Sequence, residues 1–599
     1  MSNMTFFKSF LASCLGIFTS FVLLLIAFFI VLASSSSQPL PEVNQKSVLT
    51  IEMSGALPAR ILPNPVESYF NPDAANKLSL ETLKENLNKA AADDRIEGVW
   101  VQTNLLSTSW ANLEQAYTYF ESFKESGKFL YFDTDDIGMN EQSYFLASLA
   151  DSVFSPPNTN FEFDGFVSQF TFYTDMLDKI GVEPEIFRVG KYKSAVEPYL
   201  ETSASEESKE QISVILKTAT DTFTRAVAQK TGTTATQVSE LMDTAPVNRV
   251  DFAVENDLID ALLFENDIEI LIKERIGIPA DDELNTISFK KYAKIPAVSA
   301  GVEPPSSFDQ VAVIYASGPI LPDLGSQSPF GSSATISAEM IQKQLDEALD
   351  NSNVKSIVIH IDSPGGAATT SDLIWNSLRT ASKEKPVVAS MGSVAASGGY
   401  YIAMGADTVV ANPNTITGSI GIFNLLFNVK ELTEEKIGLD FDVVKTHQYA
   451  DLLDLTTPFT PAEERIIQQN VENGYEVFLN RVAEARGMSR DEVHELAQGR
   501  VWTGKDAHEV GLVDELGSLD DAISIAAEMA NLDEYRIGTY PKAKGLFEML
   551  TSGANAKINS YLNSWFAFSR SKDIRNLQML MNKPAGQNWM ILPTEIEIN

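Results

Sequence analysis

At 599 residues the chain exceeds what one hydrophobic core usually serves, so two or more domains are expected. Its 45 Lys and Arg against 81 Asp and Glu give a formal charge of -36, which repels phosphate backbones, argues against nucleic acid as a partner and favours solubility. The single cysteine, Cys14, and the scattered His360, His447, His494 and His508 offer neither a disulfide framework nor ligand spacing, so no structural metal is expected.

The first element is apolar. From Ser9 to Pro41 there is no charged residue, and Phe10 to Ala33 is almost wholly hydrophobic. At ~1.5 Å per residue that stretch is long enough for a bilayer core of about 30 Å. Lys8 precedes it and Glu42 follows, which puts the rest of the chain on the non-cytoplasmic side. A cleaved leader ending at Val31-Leu32-Ala33 is the competing reading, but its apolar core would be unusually long, and residues 1–36 are read as a stub and a single transmembrane anchor.

Beyond the anchor the chain repeats itself. Val48-Leu49-Thr50-Ile51 returns as Val311-Ala312-Val313-Ile314, Ile96-Glu97-Gly98-Val99 as Val354-Lys355-Ser356-Ile357, and Tyr144-Phe145-Leu146-Ala147 as Tyr400-Tyr401-Ile402-Ala403. Ile180-Gly181-Val182-Glu183-Pro184-Glu185-Ile186 returns as Ile437-Gly438-Leu439-Asp440-Phe441-Asp442-Val443. The order is kept and the offset stays between 256 and 263 residues, which is a tandem duplication. Short β-branched runs alternate with amphipathic segments such as Ser337 to Ser352 and Ser371 to Ser382, so each half is expected to be one α/β domain. The expected boundaries are 45–300 and 309–540, joined through the Pro/Ser-rich stretch Pro296 to Phe308 and followed by a tail, 541–599, with no legible chemistry.

The second half carries a candidate site. A β-type run, Ser356 to Ile361, ends in Asp362-Ser363-Pro364-Gly365-Gly366, a loop whose bare backbone N–H groups can face a developing oxyanion. Farther on, Ala396-Ser397-Gly398-Gly399 leads into an apolar helical pattern. Serine there is either a displayed nucleophile or an ordinary N-cap, and the pattern alone leaves both open. Superposing the halves favours the nucleophile: Ser397 falls on Glu141 and the Gly pair on Ser107-Thr108, while Lys193 falls on Ala450, so each half retains what the other has lost.

A serine nucleophile needs a base. His360 lies on the strand leading into the Gly loop, but alternation turns it to the face opposite Ile359 and Ile361. Lysine serves only when neutral; since it ordinarily titrates near 10.4, service near neutral pH requires on the order of 5 kcal/mol of desolvation. A mostly apolar interdomain cleft can supply that, with no carboxylate such as Glu197 touching the amine. Lys191, two residues from Lys193, would share its face on a strand, and the residues alone do not choose between them.

The motifs Asp362 to Gly366, Ala396 to Tyr400, Thr417 to Gly421, Tyr192 to Pro198 and Gly499 to Gly504 resemble the long, tandem-domain form of bacterial signal peptide peptidase A, or protease IV, over nearly all the chain after the anchor. The resemblance implies tandem Clp-protease/crotonase-like α/β domains behind a single transmembrane helix, in the inner membrane with the catalytic domains on the periplasmic side. It implies a Ser-Lys endopeptidase, without cofactor, that degrades cleaved signal peptides and other hydrophobic peptides. On its motif positions Ser397 is the nucleophile, Lys193 the general base, Ser419 the hydroxyl that orients the lysine, and Gly366 and Gly398 the backbone oxyanion donors. It also implies a homo-oligomer, a tetramer in the long form. A broader membrane-protein quality-control protease and an inactive scaffold of the same fold are the alternatives, and a soluble acyl-CoA enzyme of crotonase type would need no anchor.

Overall fold

The computed structural model describes residues 40–63, 76–244, 249–323 and 335–542, the strand Trp589–Ile591, and positions 16, 19 and 20. The apolar stretch Phe10 to Ala33, read above as an anchor, and most of the tail lie outside the described residues. Among the described residues, no helix is long and apolar enough to cross a membrane.

Each half builds a mainly parallel sheet, with one antiparallel pair, Ile416–Gly418 with Val501–Thr503, at the edge of the second. In the first, Ser47–Gly55 is flanked by Ile96–Leu106 and Thr286–Ser288, and the sheet continues through Phe129–Thr134 and Ser152–Ser155 to Ala261–Leu262. In the second, Gln310–Ser317 is flanked by Val354–Ser363 and Arg536–Tyr540, and the sheet continues through Val387–Ala396 to Ile416–Gly418 and Val501–Thr503. Central strands read as near-continuous Val and Ile because helices cover both faces of a parallel sheet. Val358, Ile359 and Ile361 are accordingly all buried.

The duplication persists in the helices and in single hydrogen bonds. Ser79 caps Leu80–Ala92, which buries Leu83, Leu87 and Ala90; Ser337 caps Ala338–Asp350, which buries Ile341, Leu345 and Ala348. The buried Tyr144 hydroxyl donates to Leu258 O at 2.7 Å, and that of Tyr400 to Leu512 O at 2.8 Å. Asp151 accepts from Leu130 N–H, and Asp407 from Val387 N–H.

A third sheet belongs to both halves. Glu183–Arg188, from the first half, leaves its own domain and pairs antiparallel with Phe423–Asn428 of the second, in a register from Phe423↔Arg188 to Asn428↔Glu183. Phe187 is buried there in the core of the second half, while Ile186 packs with Phe423 and Leu425 on the other face. This crossing strand carries first-half residues into the second-half site.

Candidate active site

The strand Val387–Ala396 ends at Ser397, and the helix Gly398–Ala403 begins one residue later. Ser397 sits at φ +54, a conformation that costs a non-glycine residue of order 1–3 kcal/mol. Its N–H donates to Gly418 O at 2.8 Å and its carbonyl accepts from Tyr401 N–H at 2.8 Å, which hold it in that turn. The hydroxyl caps no helix N–H, so the ordinary capping role left open by the sequence is absent.

The oxyanion candidates adjoin it. Gly398 opens the short helix, where the first N–H groups have no intrahelical acceptor. A Cβ on residue 398 would lie 3.0 Å from Gly366 N, so the two backbones nearly touch. A Cβ on residue 366 would come within 1.9 Å of Ile320 O, which restricts that position to glycine.

Lys193 arrives from the other half. After the crossing strand, Tyr192 N–H donates to Gln498 O at 3.0 Å, and the chain turns into a 3-10 turn, Ser194–Val196. Lys193 Nζ reaches Ser397 Oγ at 2.9 Å, Ser419 Oγ at 2.9 Å and Ser419 O at 3.2 Å. Lys193, Ser397 and Ser419 are all 0% exposed. Desolvation by burial holds the Lys193 amine well below its ordinary value, with no carboxylate beside it to oppose the effect.

Glu197 faces elsewhere, accepting from the hydroxyls of Ser205 and Ser208. Lys191 does not share a strand face with Lys193, because the regular strand has already ended at Arg188; its amine lies 4.9 Å from the Tyr192 ring centroid, toward solvent. The histidine alternative also separates from the serine. His360 Nδ1 is 3.1 Å from Ser390 Oγ, and burial lowers the ring to about 4.

The parts played by three features of this pocket escaped the sequence. Gly499 is one: a Cβ there would lie 2.6 Å from Lys193 Cβ and 2.7 Å from its Cα and N, so the lysine fits only because residue 499 has no side chain. Gly421 leaves similar room, with a Cβ there meeting Lys193 Cδ at 3.3 Å. The third is in the tail. Trp589–Ile591 pairs antiparallel with Gly365–Ala367, setting Met590 opposite Gly366, and also touches Phe423. The tail therefore does bear on the site, contrary to the reading above. The run Trp589-Met590-Ile591-Leu592 before Pro593 was the available signal, a short apolar β-type segment.

A strained, uncapped hydroxyl, a desolvated amine 2.9 Å away and a glycine-lined pair of backbones form a constellation suited to acyl transfer. Trp589–Ile591 thus adds to Gly365–Ala367 as an extended strand, the geometry by which strand addition commonly holds peptides.

Known proteins share this organisation. The family model described as peptidase family S49 matches residues 127–277 and 379–533, one segment in each half, and that described as Clp protease matches residues 331–417. The chain is 36% identical over 495 residues to "Serine protease SPPA, chloroplastic" of Arabidopsis thaliana, covering 82% of this chain and 71% of that protein. It is 30% identical over 501 residues to "Protease 4" of Salmonella typhi, covering 82% and 78%. A shorter match, 33% identical over 198 residues, is to "Putative signal peptide peptidase SppA" of Enterococcus faecium, covering 33% and 57%. The architecture is thus a tandem pair of Clp-protease-like α/β domains.

Proposed function

We propose that this chain, a serine peptidase belonging to peptidase family S49, uses Ser397 as nucleophile and Lys193 as general base to degrade cleaved signal peptides and other apolar peptides at a membrane. The observation that carries this reading is the 2.9 Å approach of Lys193 Nζ to Ser397 Oγ in a pocket closed to solvent. A neutral amine has two N–H groups and one lone pair. Ser419 O and Ser419 Oγ accept the two N–H bonds, and the lone pair faces the Ser397 hydroxyl.

In the reaction, Ser397 Oγ attacks the peptide carbonyl as its proton passes to Lys193. The oxyanion takes the N–H groups of Gly366 and Gly398, and the helix N-terminus adds a favourable field. The Lys193 ammonium then protonates the departing amine, leaving an acyl-enzyme. Neutral again, Lys193 takes a proton from water as it attacks the ester, then returns it to Ser397 Oγ as the acyl–serine bond breaks and the acid product leaves. Ser419 keeps the amine aimed throughout.

In this reading residues 1–36 anchor the chain, 45–300 supply the base, 309–540 supply nucleophile and oxyanion hole, and 541–599 end in a segment that shares the peptide groove. Apolar peptides leaving a bilayer suit an anchored site, and an extended substrate would replace Trp589–Ile591 along Gly365–Ala367. The catalytic domains lie on the non-cytoplasmic side, and the protein assembles as a homo-oligomer.

A serine-reactive acylating probe tests the chemistry on the full chain in lipid vesicles. Label is expected on Ser397, absent from Ser397→Ala and strongly slowed in Lys193→Ala. Undiminished labelling in Lys193→Ala rejects the lysine base. Failure of vesicle-bound protein to degrade a free signal peptide while cutting unfolded membrane proteins would move the substrate to the quality-control alternative.

A further inference from the structure

Lys193 and Ser419 both lean on a turn built from two successive left-handed residues. After the helix Arg490–Leu496 the chain bends through Gln498 at φ +55 and Gly499 at φ +82. Glycine takes that conformation freely and glutamine does not, so the turn persists only because its surroundings over-determine it. Three consecutive residues grip the catalytic groups through their main chain. Gln498 O accepts from Tyr192 N–H at 3.0 Å, Gly499 N–H donates to Ile420 O at 2.8 Å, and Arg500 O accepts from Ser419 N–H at 2.6 Å. Tyr192 precedes the base and Ser419 is the hydroxyl that meets its amine, so one short segment sets both ends of that 2.9 Å contact. A Cβ on residue 190 would lie 2.3 Å from Gln498 C and O, so the loop carrying the base rests directly on this turn.

A phenol supports the turn from behind. Tyr475, on the helix Pro461–Arg486, is buried in the core of the second half, and its hydroxyl oxygen lies 3.2 Å from Gln498 N and 3.0 Å from His494 Nδ1. The Gln498 N–H can only donate, so the phenol oxygen accepts it and the phenol hydrogen is left for His494 Nδ1. That donor count puts the imidazole proton on Nε2. Burial pushes the Tyr475 phenol up to about 12, which keeps its hydrogen in place across the range below 10.5 in which Lys193 titrates. The charged groups around these elements have partners of their own: Arg490 pairs with Glu476, Arg500 with Glu210, and Arg188 donates to Lys193 O at 3.3 Å.

We propose that Tyr475 is a positioning residue for the Ser397–Lys193 dyad: its phenol, aimed by His494, fixes the Gln498–Gly499 turn and, through that turn, the seat of Lys193 and Ser419. The inference deepens the Ser-Lys reading above and rests on it. Tyr475 acts on the lysine only through the main chain of residues 498–500. Without the hydroxyl, the Gln498 N–H loses this acceptor and the left-handed turn loses a support. The Tyr192 amide then loosens, and water reaches the Lys193 amine. Since burial is what holds that amine down, a wetter pocket lets it climb back toward the ordinary lysine range. Both alignment and the neutral fraction of the base fall together.

Tyr475→Phe tests this on the full chain in detergent, because it keeps the ring and removes only the hydroxyl. A shift of the base by about half of the 1 Å that costs roughly 100-fold should lower kcat about tenfold, with KM little changed since the phenol lies against the turn and not against Gly365–Ala367. The midpoint of the pH profile of kcat/KM should move to higher pH. Acylation of Ser397 by a serine-reactive probe should be slowed at pH 7, and the gap to wild type should narrow toward about pH 10. The control is Tyr144→Phe, which removes a buried hydroxyl donating to Leu258 O at 2.7 Å in the first half. It should lower Tm and keep the wild-type midpoint. If Tyr475→Phe does not fold, His494→Leu strips only the group that aims the phenol and is expected to move the midpoint the same way, with His494→Gln, which retains an acceptor, restoring it. An unmoved midpoint in Tyr475→Phe, or in His494→Leu where the former cannot be folded, overturns the inference, as does an equal movement in Tyr144→Phe. Undiminished labelling in Lys193→Ala rejects the dyad and this inference with it, whereas labelling that needs Lys193 but ignores Tyr475 rejects this inference alone.

Discussion

Gly499→Ala perturbs the site without removing any group that performs chemistry. The added Cβ would lie 2.6 Å from Lys193 Cβ and 2.7 Å from its Cα and N, against ordinary contact beginning at 3.4 Å. The Lys193 backbone must therefore give way by about 0.8 Å, the difference between 3.4 and 2.6 Å. Such a displacement can lengthen the present 2.9 Å between Nζ and Ser397 Oγ beyond hydrogen-bond range, which ends near about 3.2 Å for nitrogen and oxygen. Misplacement of about 1 Å costs about 100-fold in rate. Residue 499 also sits at φ +82, where alanine adds roughly 1–2 kcal/mol of strain. Steady-state hydrolysis of a fluorogenic peptide should show kcat down about 100-fold with KM little changed, because the steric contact falls on Lys193 rather than on Gly365–Ala367. Probe labelling of Ser397 should slow in parallel, with a modest loss of Tm. A folded Gly499→Ala protein with wild-type kcat would refute the claim that this glycine positions the lysine.

Lys193→Met should abolish a general-base contribution of about 100- to 10,000-fold in kcat. The same variant should gain stability at pH 7. Burial holds the folded-state amine well below its ordinary value, so between that lowered value and about 10.4 the unfolded chain binds a proton that the native chain does not. Wild-type stability therefore rises with pH across that window, and the Tm advantage of Lys193→Met should shrink toward pH 10. An advantage independent of pH would contradict the buried neutral amine. Peptidase activity should rise with pH as Lys193 deprotonates, with a midpoint well below 10.5, measured as kcat/KM on the free enzyme. Ser419→Ala removes one of the three partners of the amine and should lower kcat about fivefold, a hydrogen bond being worth about 1 kcal/mol; unchanged kcat would remove its orienting role. A chain ending at Asn588 lacks the strand that lies along Gly365–Ala367 and should show a lower KM for peptide at equal kcat; an unchanged KM would mean that the tail does not compete with substrate.

Much of this organisation was legible because it is local or repeated. Strand and helix identity follow from apolar period, as in Val354 to Ile361 and Ser337 to Ser352, and a duplicated period reveals two similar domains without any knowledge of their contacts. The Gly365-Gly366 loop and Ser397 were visible for the same reason, since a tight turn and a displayed hydroxyl each occupy a few consecutive residues. Lys193 was distinguishable from Lys191 only through the motif resemblance. Nothing local separates two lysines in a loop; what separates them is that one side chain crosses into the other half and loses its water.

By itself, then, the amino-acid order determined the number and class of the domains, the turn that presents Ser397 and the complementary losses of the two halves. The tertiary structure alone decided which hydroxyls meet the amine, that Gly499 makes room for it, and that Trp589–Ile591 lies along the glycine strand. The physical reason is distance along the chain. Short-range sterics and periodicity are written in neighbouring residues, whereas desolvation, close packing and strand addition depend on groups that only folding brings together.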